Sequence, residues 1–210
     1  MRTVCSLALT MTMFAALSFC QETGNAPEAK AGDHPNPQAN VPAPERPKTI
    51  VESINVTWAD EQKDFIGLAD AMPAAKWNFK PLHGEFKDVR TFGEMVKHVA
   101  CANEGFAKEM HGAAPPDGCE KGGPNPAKTK AEIMKYLQDS FQMLDDEINL
   151  IDEKTAMQPV DGPYGGPNTR IGMAVLATWH VADHYGQLVE YVRMNGIVPP
   201  ASVPQPAPAK

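Results

Sequence analysis

The sequence predicts an all-α protein, a four-helix bundle carrying Pro-rich N- and C-terminal tails. Three observations carry that expectation. Apolar residues recur at helical spacing in four separate stretches, Gly/Pro-rich segments connect them, and no stretch alternates polar and apolar residues long enough to suggest a sheet. A chain of 210 residues with 42% hydrophobic and 21% charged residues suits one globular domain plus tails.

The first helix is expected from Thr57 onward, where Trp58, Phe65, Leu68 and Met72 fall on one face. Thr91 and Glu94 form the T-x-x-E capping box that opens "FGEMVKHVACANEGFAKEMHG". Thr129 and Glu132 form a second such box, ahead of an amphipathic stripe of Ile133, Leu137, Phe141, Leu144, Ile148 and Ile151. The fourth helix is expected from near Thr169 to Asn195-Gly196, a C-cap signal followed by Pro199-Pro200. The connections are "KPLHGEFKD", "GAAPPDGCEKGGPNP" and "QPVDGPYGGPN". Four amphipathic helices with polar loops define a bundle, whose interior is a common place for metal and cofactor sites.

The ends read differently. Residues 1–20 have an early Arg2 and an apolar run from about Leu7 to Phe19, the length of a signal-peptide core rather than a bilayer span. Ser18 and Cys20 supply small residues for cleavage before Gln21, so export to the periplasm or the exterior is expected, with no membrane span after cleavage. Lipid anchoring at Cys20 is the lesser reading, because Phe19 is large where a small residue is needed. Residues 21–48 carry six prolines and almost no large apolar side chain, the composition of a disordered tether, and 199–210 repeat it. The folded domain is thus placed at 49–198.

A net charge of -7 offers no basic stripe for a phosphate backbone or an anionic membrane surface, so a nucleic-acid partner is excluded. After signal cleavage Cys101 and Cys119 remain, an even pair in an oxidising compartment. A disulfide between them closes a loop of about 17 residues, worth on the order of 3 kcal/mol in the chain-entropy model. Two free buried thiols are the alternative, and an unoxidised Cys101, three residues after His98, could approach a metal held there.

His180 and His184 lie four residues apart, about 40° apart around a helix, on a face shared with Met173, Leu176, Gln187 and Tyr191. Two imidazoles on an apolar face are costly without partners, and the i, i+4 spacing suits two nitrogen ligands on one metal. His98, mid-helix with Glu94, Met95 and Ala102 on its face, is the best third ligand. The spacing alone also allows an exposed His98 and a pair satisfied by hydrogen bonds. "HVADH" echoes the H-x-x-E-H metallopeptidase signature with Asp183 in place of Glu, but a bundle lacks the sheet edge a peptide would lie along. No G-x-S-x-G, phosphate-binding Gly-rich loop or H-E-x-x-H is present.

Taken in order, "AKWNFKP", "TFGEMVKHVACAN" and "HVADHYGQLVEYVRMNGIVPP" resemble the DinB-like (DinB/YfiT) superfamily of four-helix bundles across about residues 50–200. The resemblance implies a metal triad, one His on the second helix and an H-x-x-x-H pair on the fourth, mapping onto His98, His180 and His184. It implies a divalent ion such as Zn or Ni with open positions filled by water. Glu94 and Asp183 become candidate acceptors behind the ligands, and Gln187 and Tyr191 candidates for the pocket mouth. Family activities include metal-dependent thiol transfer to an electrophile and a thiol-dependent isomerisation, and its bundles often form homodimers. Export separates this chain from the mainly cytosolic thiol cosubstrates. Three classes follow: a metal-dependent transferase or hydrolase acting on a small molecule, a non-catalytic or stress-associated metal-binding envelope protein, and a bundle whose metal site has lapsed.

Overall fold

A computed structural model describes residues 45–204 apart from positions 86 and 165. The expected signal peptide at 1–20, residues 21–44 of the tether and the last six residues lie outside the described part. The helices are α1 (Ile50–Ala71), α2 (Phe92–Met110), α3 (Lys130–Ile148) and α4 (Arg170–Met194). Among the described residues no helix is long and apolar enough to cross a membrane.

Three helices open with the same reciprocal device. The side-chain oxygens of Thr49, Thr91 and Thr129 accept from the backbone N–H of Glu52, Glu94 and Glu132, whose carboxylates accept from the threonine N–H in return. For α1 this corrects the expected start. The helix begins at Ile50, not after Thr57, because Thr49 and Glu52 form a capping box and Ile50, Val51 and Ile54 pack against the core as one more apolar turn.

α2 packs chiefly on α3 and α1 on α4, while α2 and α4 also meet directly, which is what brings their histidines together. The core between the pairs holds Trp58, Phe65 and Phe141, with ring centroids 5.4 Å apart for Trp58 and Phe141, together with Leu68, Leu137 and Leu188. Trp58 donates its indole N–H to Asp145, so this large ring is buried without an orphan donor.

The segment "AKWNFKP" caps α2. The backbone N–H of Phe92 donates to the Phe79 carbonyl at 2.9 Å and that of Gly93 to the Trp77 carbonyl at 2.8 Å, satisfying two donors that a helix start leaves free. A Cβ on Gly93 would stand 3.0 Å from the Trp77 ring and 3.3 Å from the Trp77 carbonyl oxygen, so any larger residue would have to push the Trp77 segment back.

The expectation that no sheet forms holds for the core but not for the connection before α4. Strands β1 (Pro159–Gly162) and β2 (Gly166–Thr169) pair antiparallel, with Pro159 opposite Thr169 and Val160 opposite Asn168. Four residues per strand are too few to show alternation, and only Val160 is buried on the bundle. Beyond α4 the chain stays on the bundle past position 198, with Pro199 buried and Pro200 lying over Gly67 of α1.

Arg170 ties three helix ends together. Its guanidinium donates to the Met110 carbonyl at 2.7 Å and to the Glu147 carbonyl and carboxylate at 3.0 and 3.1 Å, closing the C-termini of α2 and α3 against the start of α4. Both side chains are only 11% exposed, so removing the cation leaves a buried carboxylate with His111 as its remaining partner. Arg170→Met is therefore expected to cost about 3 kcal/mol in chemical denaturation, and a loss under about 1 kcal/mol would show the clip to be idle.

Candidate metal centre

α2 delivers His98 and α4 delivers His180 and His184 into the seam between the two helices, where they form a group that could hold a metal ion. Their Nε2 atoms make a nearly equilateral triangle, 3.1 Å from His98 to His184 and 3.2 Å along each of the other two edges. His98 and His184 are buried, and His180 is half-buried with its ring 5.5 Å from that of Phe106.

Burial decides the charge of this group. Desolvation, followed by repulsion from the neighbouring imidazoles, pushes His180 down to about 3. Desolvation and the His98 ring push His184 down to about 4. His98 is also lowered, by desolvation first, against the opposing hydrogen bond to Cys119. All three are neutral at pH 7. The 3.9 Å approach of Asp183 to His184 Nδ1 is consequently neither an ion pair nor a hydrogen bond.

The donor chemistry fits a cation better than it fits mutual hydrogen bonding. His98 Nδ1 lies 2.8 Å from the Cys119 carbonyl, which can only accept, so that nitrogen carries the proton and Nε2 presents a lone pair. Each of the other two Nε2 atoms is either a donor or an acceptor. In a triangle of three atoms with two states, at least one edge sets like against like, so no tautomer satisfies all three contacts. Three lone pairs directed at one cation remove that conflict. Nitrogens bound tetrahedrally to a common ion at about 2.0–2.1 Å lie roughly 3.3 Å apart, close to the observed edges. Such a ligand set fits an open, three-histidine site for a divalent ion.

The residues expected behind the ligands have other roles. Glu94 is an exposed member of the α2 capping box, its carboxylate accepting from Thr91 N–H at 2.7 Å. Asp183 is exposed and accepts from the Gln187 amide at 2.8 Å. Gln187 and Tyr191 line a cleft of about 800 Å³ whose wall also includes Glu94, Arg90 and Glu120 but none of the three histidines. Tyr191 donates its hydroxyl to the Arg90 carbonyl at 3.1 Å. Cys101 and Cys119 are joined in a disulfide, so Cys101 is no thiolate ligand. His111 stands apart and pairs with Glu147 at 2.9 Å.

Two contributors went unread in the sequence. One is the Cys119 carbonyl, a backbone group that no side-chain pattern reveals. The other is Arg90, whose positive charge further disfavours protonation of all three histidines. Its only signal was its position just before the Thr91 cap.

Fold and site together define an all-α bundle with a three-histidine group between its second and fourth helices. Residues 57–188 match the family model of the DinB superfamily, and the chain belongs to that superfamily. Solved structures share its fold. A DinB-like protein from Bacillus cereus superposes with a TM-score of 0.58 at 17% identity, over 72% of this chain and 96% of that one. A DinB-like protein from Bacillus subtilis gives 0.55 at 19% identity, over 73% and 96%. A conserved protein from Enterococcus faecalis gives 0.56 at 16%, over 70% and 98%. No curated protein matches the chain.

Unfolding exposes His180 and His184, which then take protons near the usual value of about 6.5, whereas the native state holds His180 neutral down to about 3 and His184 down to about 4. The unfolded state binds more protons in that window. Without metal, stability from this source is complete above about pH 6.5 and falls on acidification. Denaturation midpoints between pH 7 and 4.5 should therefore fall more steeply for the wild type than for His180→Gln/His184→Gln, and equal slopes would contradict the assignment.

Proposed function

We propose that this chain is an exported, metal-dependent enzyme of the DinB superfamily, a transferase or hydrolase that uses a divalent ion held by His98, His180 and His184. The observation that carries the reading is the convergence of three neutral imidazole nitrogens at 3.1–3.2 Å with a conflict that only a cation relieves. Zinc suits three imidazoles with a position left open, and nickel is the alternative that metal availability would select. The ion, when bound, lowers the pKa of a coordinated thiol or water and so supplies a nucleophile near neutral pH.

The substrate surface we assign is the neighbouring cleft, reached from the site by way of Glu94 and Met95, one turn before His98, and Gln187, one turn after His184. The cleft wall carries Lys80, Lys87, Arg90 and Lys121 against Asp88, Glu94 and Glu120. Arg90 and Glu120 pair with each other, which leaves Lys80, Lys87 and Lys121 against Asp88 and Glu94, a small positive excess that favours a small substrate bearing an anionic group. Buried walls around His98 and His184 exclude water from one side of the site. Export is supported by the Cys101–Cys119 disulfide, since such bonds persist in oxidising compartments. A non-catalytic metal-binding role is the second reading. It is favoured by one observation: neither Glu94 nor Asp183 stands free beside the imidazoles as a general acid or base.

Elemental analysis of the purified protein should find one divalent ion per chain in the wild type and little in His180→Ala or His184→Ala. Equal and negligible metal in all three sinks the proposal. Turnover of a thiol with an electrophile, or of an activated ester, by the zinc-loaded wild type supports the enzyme, and turnover of neither supports the binder.

A further inference from the structure

His98 is the one ligand held from behind. The Nδ1 atoms of His180 and His184 are buried without a protein partner among the described residues, whereas that of His98 donates to the Cys119 carbonyl. That carbonyl belongs to a short 3-10 turn, Cys119–Lys121, bracketed by Gly118 and Gly122 with φ of +70° and +85°. Within the turn the same carbonyl accepts from the Gly122 N–H at 2.9 Å, a bond that orients it in the turn but does not tie the turn to α2.

The disulfide does. Cys101 lies three residues after His98, one turn along the same helix, and its bond to Cys119 holds the two Cα atoms 5.3 Å apart. Helix turn, disulfide, carbonyl and imidazole N–H thus form a closed ring that begins and ends on α2. Both sulfur residues are buried, at 0% and 3% exposure, and the chain folds so tightly over them that a Cβ on Gly123 would run into the Cys101 sulfur. The other ties of this loop to α2 and its neighbours are weaker. Arg90 donates to the Glu120 carbonyl at 3.0 and 2.9 Å at the surface, and Tyr164 donates to the Pro116 carbonyl at 3.3 Å.

We propose that the Cys101–Cys119 disulfide is a positioning element of the three-histidine site, so that breaking it weakens metal binding and metal binding in turn protects it. The inference rests on the metal-binding reading above. An external dithiol breaks the S–S bond by donating two electrons and two hydrogens. Cys101 and Cys119 become thiols, and the dithiol closes to its own disulfide. The Cys119 carbonyl is then no longer fixed against α2, and His98 is free to turn or to move its proton to Nε2, where it blocks the ligand. Groups that orient a metal-bound histidine from behind are worth about 10- to 100-fold in affinity. Coupling is reciprocal, so the ion must favour the oxidised pair by the same factor.

Competition titrations with a chromophoric zinc chelator on the oxidised full chain and on Cys101→Ser/Cys119→Ser test this, with circular dichroism to verify the fold. At least tenfold weaker zinc binding by the folded variant is expected. The reduction potential of the wild-type pair, with and without saturating zinc, gives a second readout that needs no variant. Zinc should lower it by about 30 mV for each tenfold of coupling. Should the variant not fold, the potential decides. Affinities within twofold of each other, or a potential that zinc leaves unmoved or raises, overturn the inference while leaving the metal site intact. An oxidised wild type that binds no zinc overturns both readings together.

Discussion

Three imidazole nitrogens brought within 3.2 Å of one another inside a protein are an expensive arrangement, and much of this bundle is organised around sustaining it. The rings cannot share protons among themselves without conflict and cannot ionise without solvent. The packing of α2 against α4 brings them together and buries His98 and His184. The seam is therefore a site prepared by the surrounding core.

That preparation is distributed. Trp77 and Phe79 carbonyls receive the first N–H groups of α2, while Arg170 gathers the last carbonyls of α2 and α3 beside the start of α4. These contacts fix both ends of the helix that carries His98 and one end of the helix that carries the pair. The Cys119 carbonyl adds the finest level, selecting which nitrogen of His98 faces inward. Long-range packing sets which helices meet, end contacts set their register, and one backbone oxygen sets the tautomer.

Much of this was legible in the sequence, and the parts that were not share a cause. The capping boxes at Thr91 and Thr129 were readable because two side chains at fixed spacing do all the work. The same box at Thr49 is followed by only Ile50, Val51 and Ile54, a weaker apolar signal than the Trp58, Phe65 and Leu68 stripe that points to a start near Thr57. The β1–β2 pairing was hidden because prolines and glycines in a hairpin look like any loop. Among site residues, helical periodicity put His180 and His184 on an inward face but left His98 open, and the family resemblance implied it as the third ligand. The roles expected for Glu94 and Asp183 could not be judged from periodicity. It gives a direction from the helix axis but not the competing partner, and both carboxylates had nearer ones in Thr91 and Gln187.

Glu94 carries a consequence of its own. The carboxylate that completes the α2 cap also forms part of the cleft wall. A mutation at this position that reshapes the cleft, the proposed substrate surface, would at the same time fray the first turn of the helix that presents His98. Selectivity and ligand placement are thus pleiotropically linked through one side chain. Adaptation of this cleft has freer routes at Lys87 and Gln187, both exposed on the same wall, where no helix start depends on the outcome.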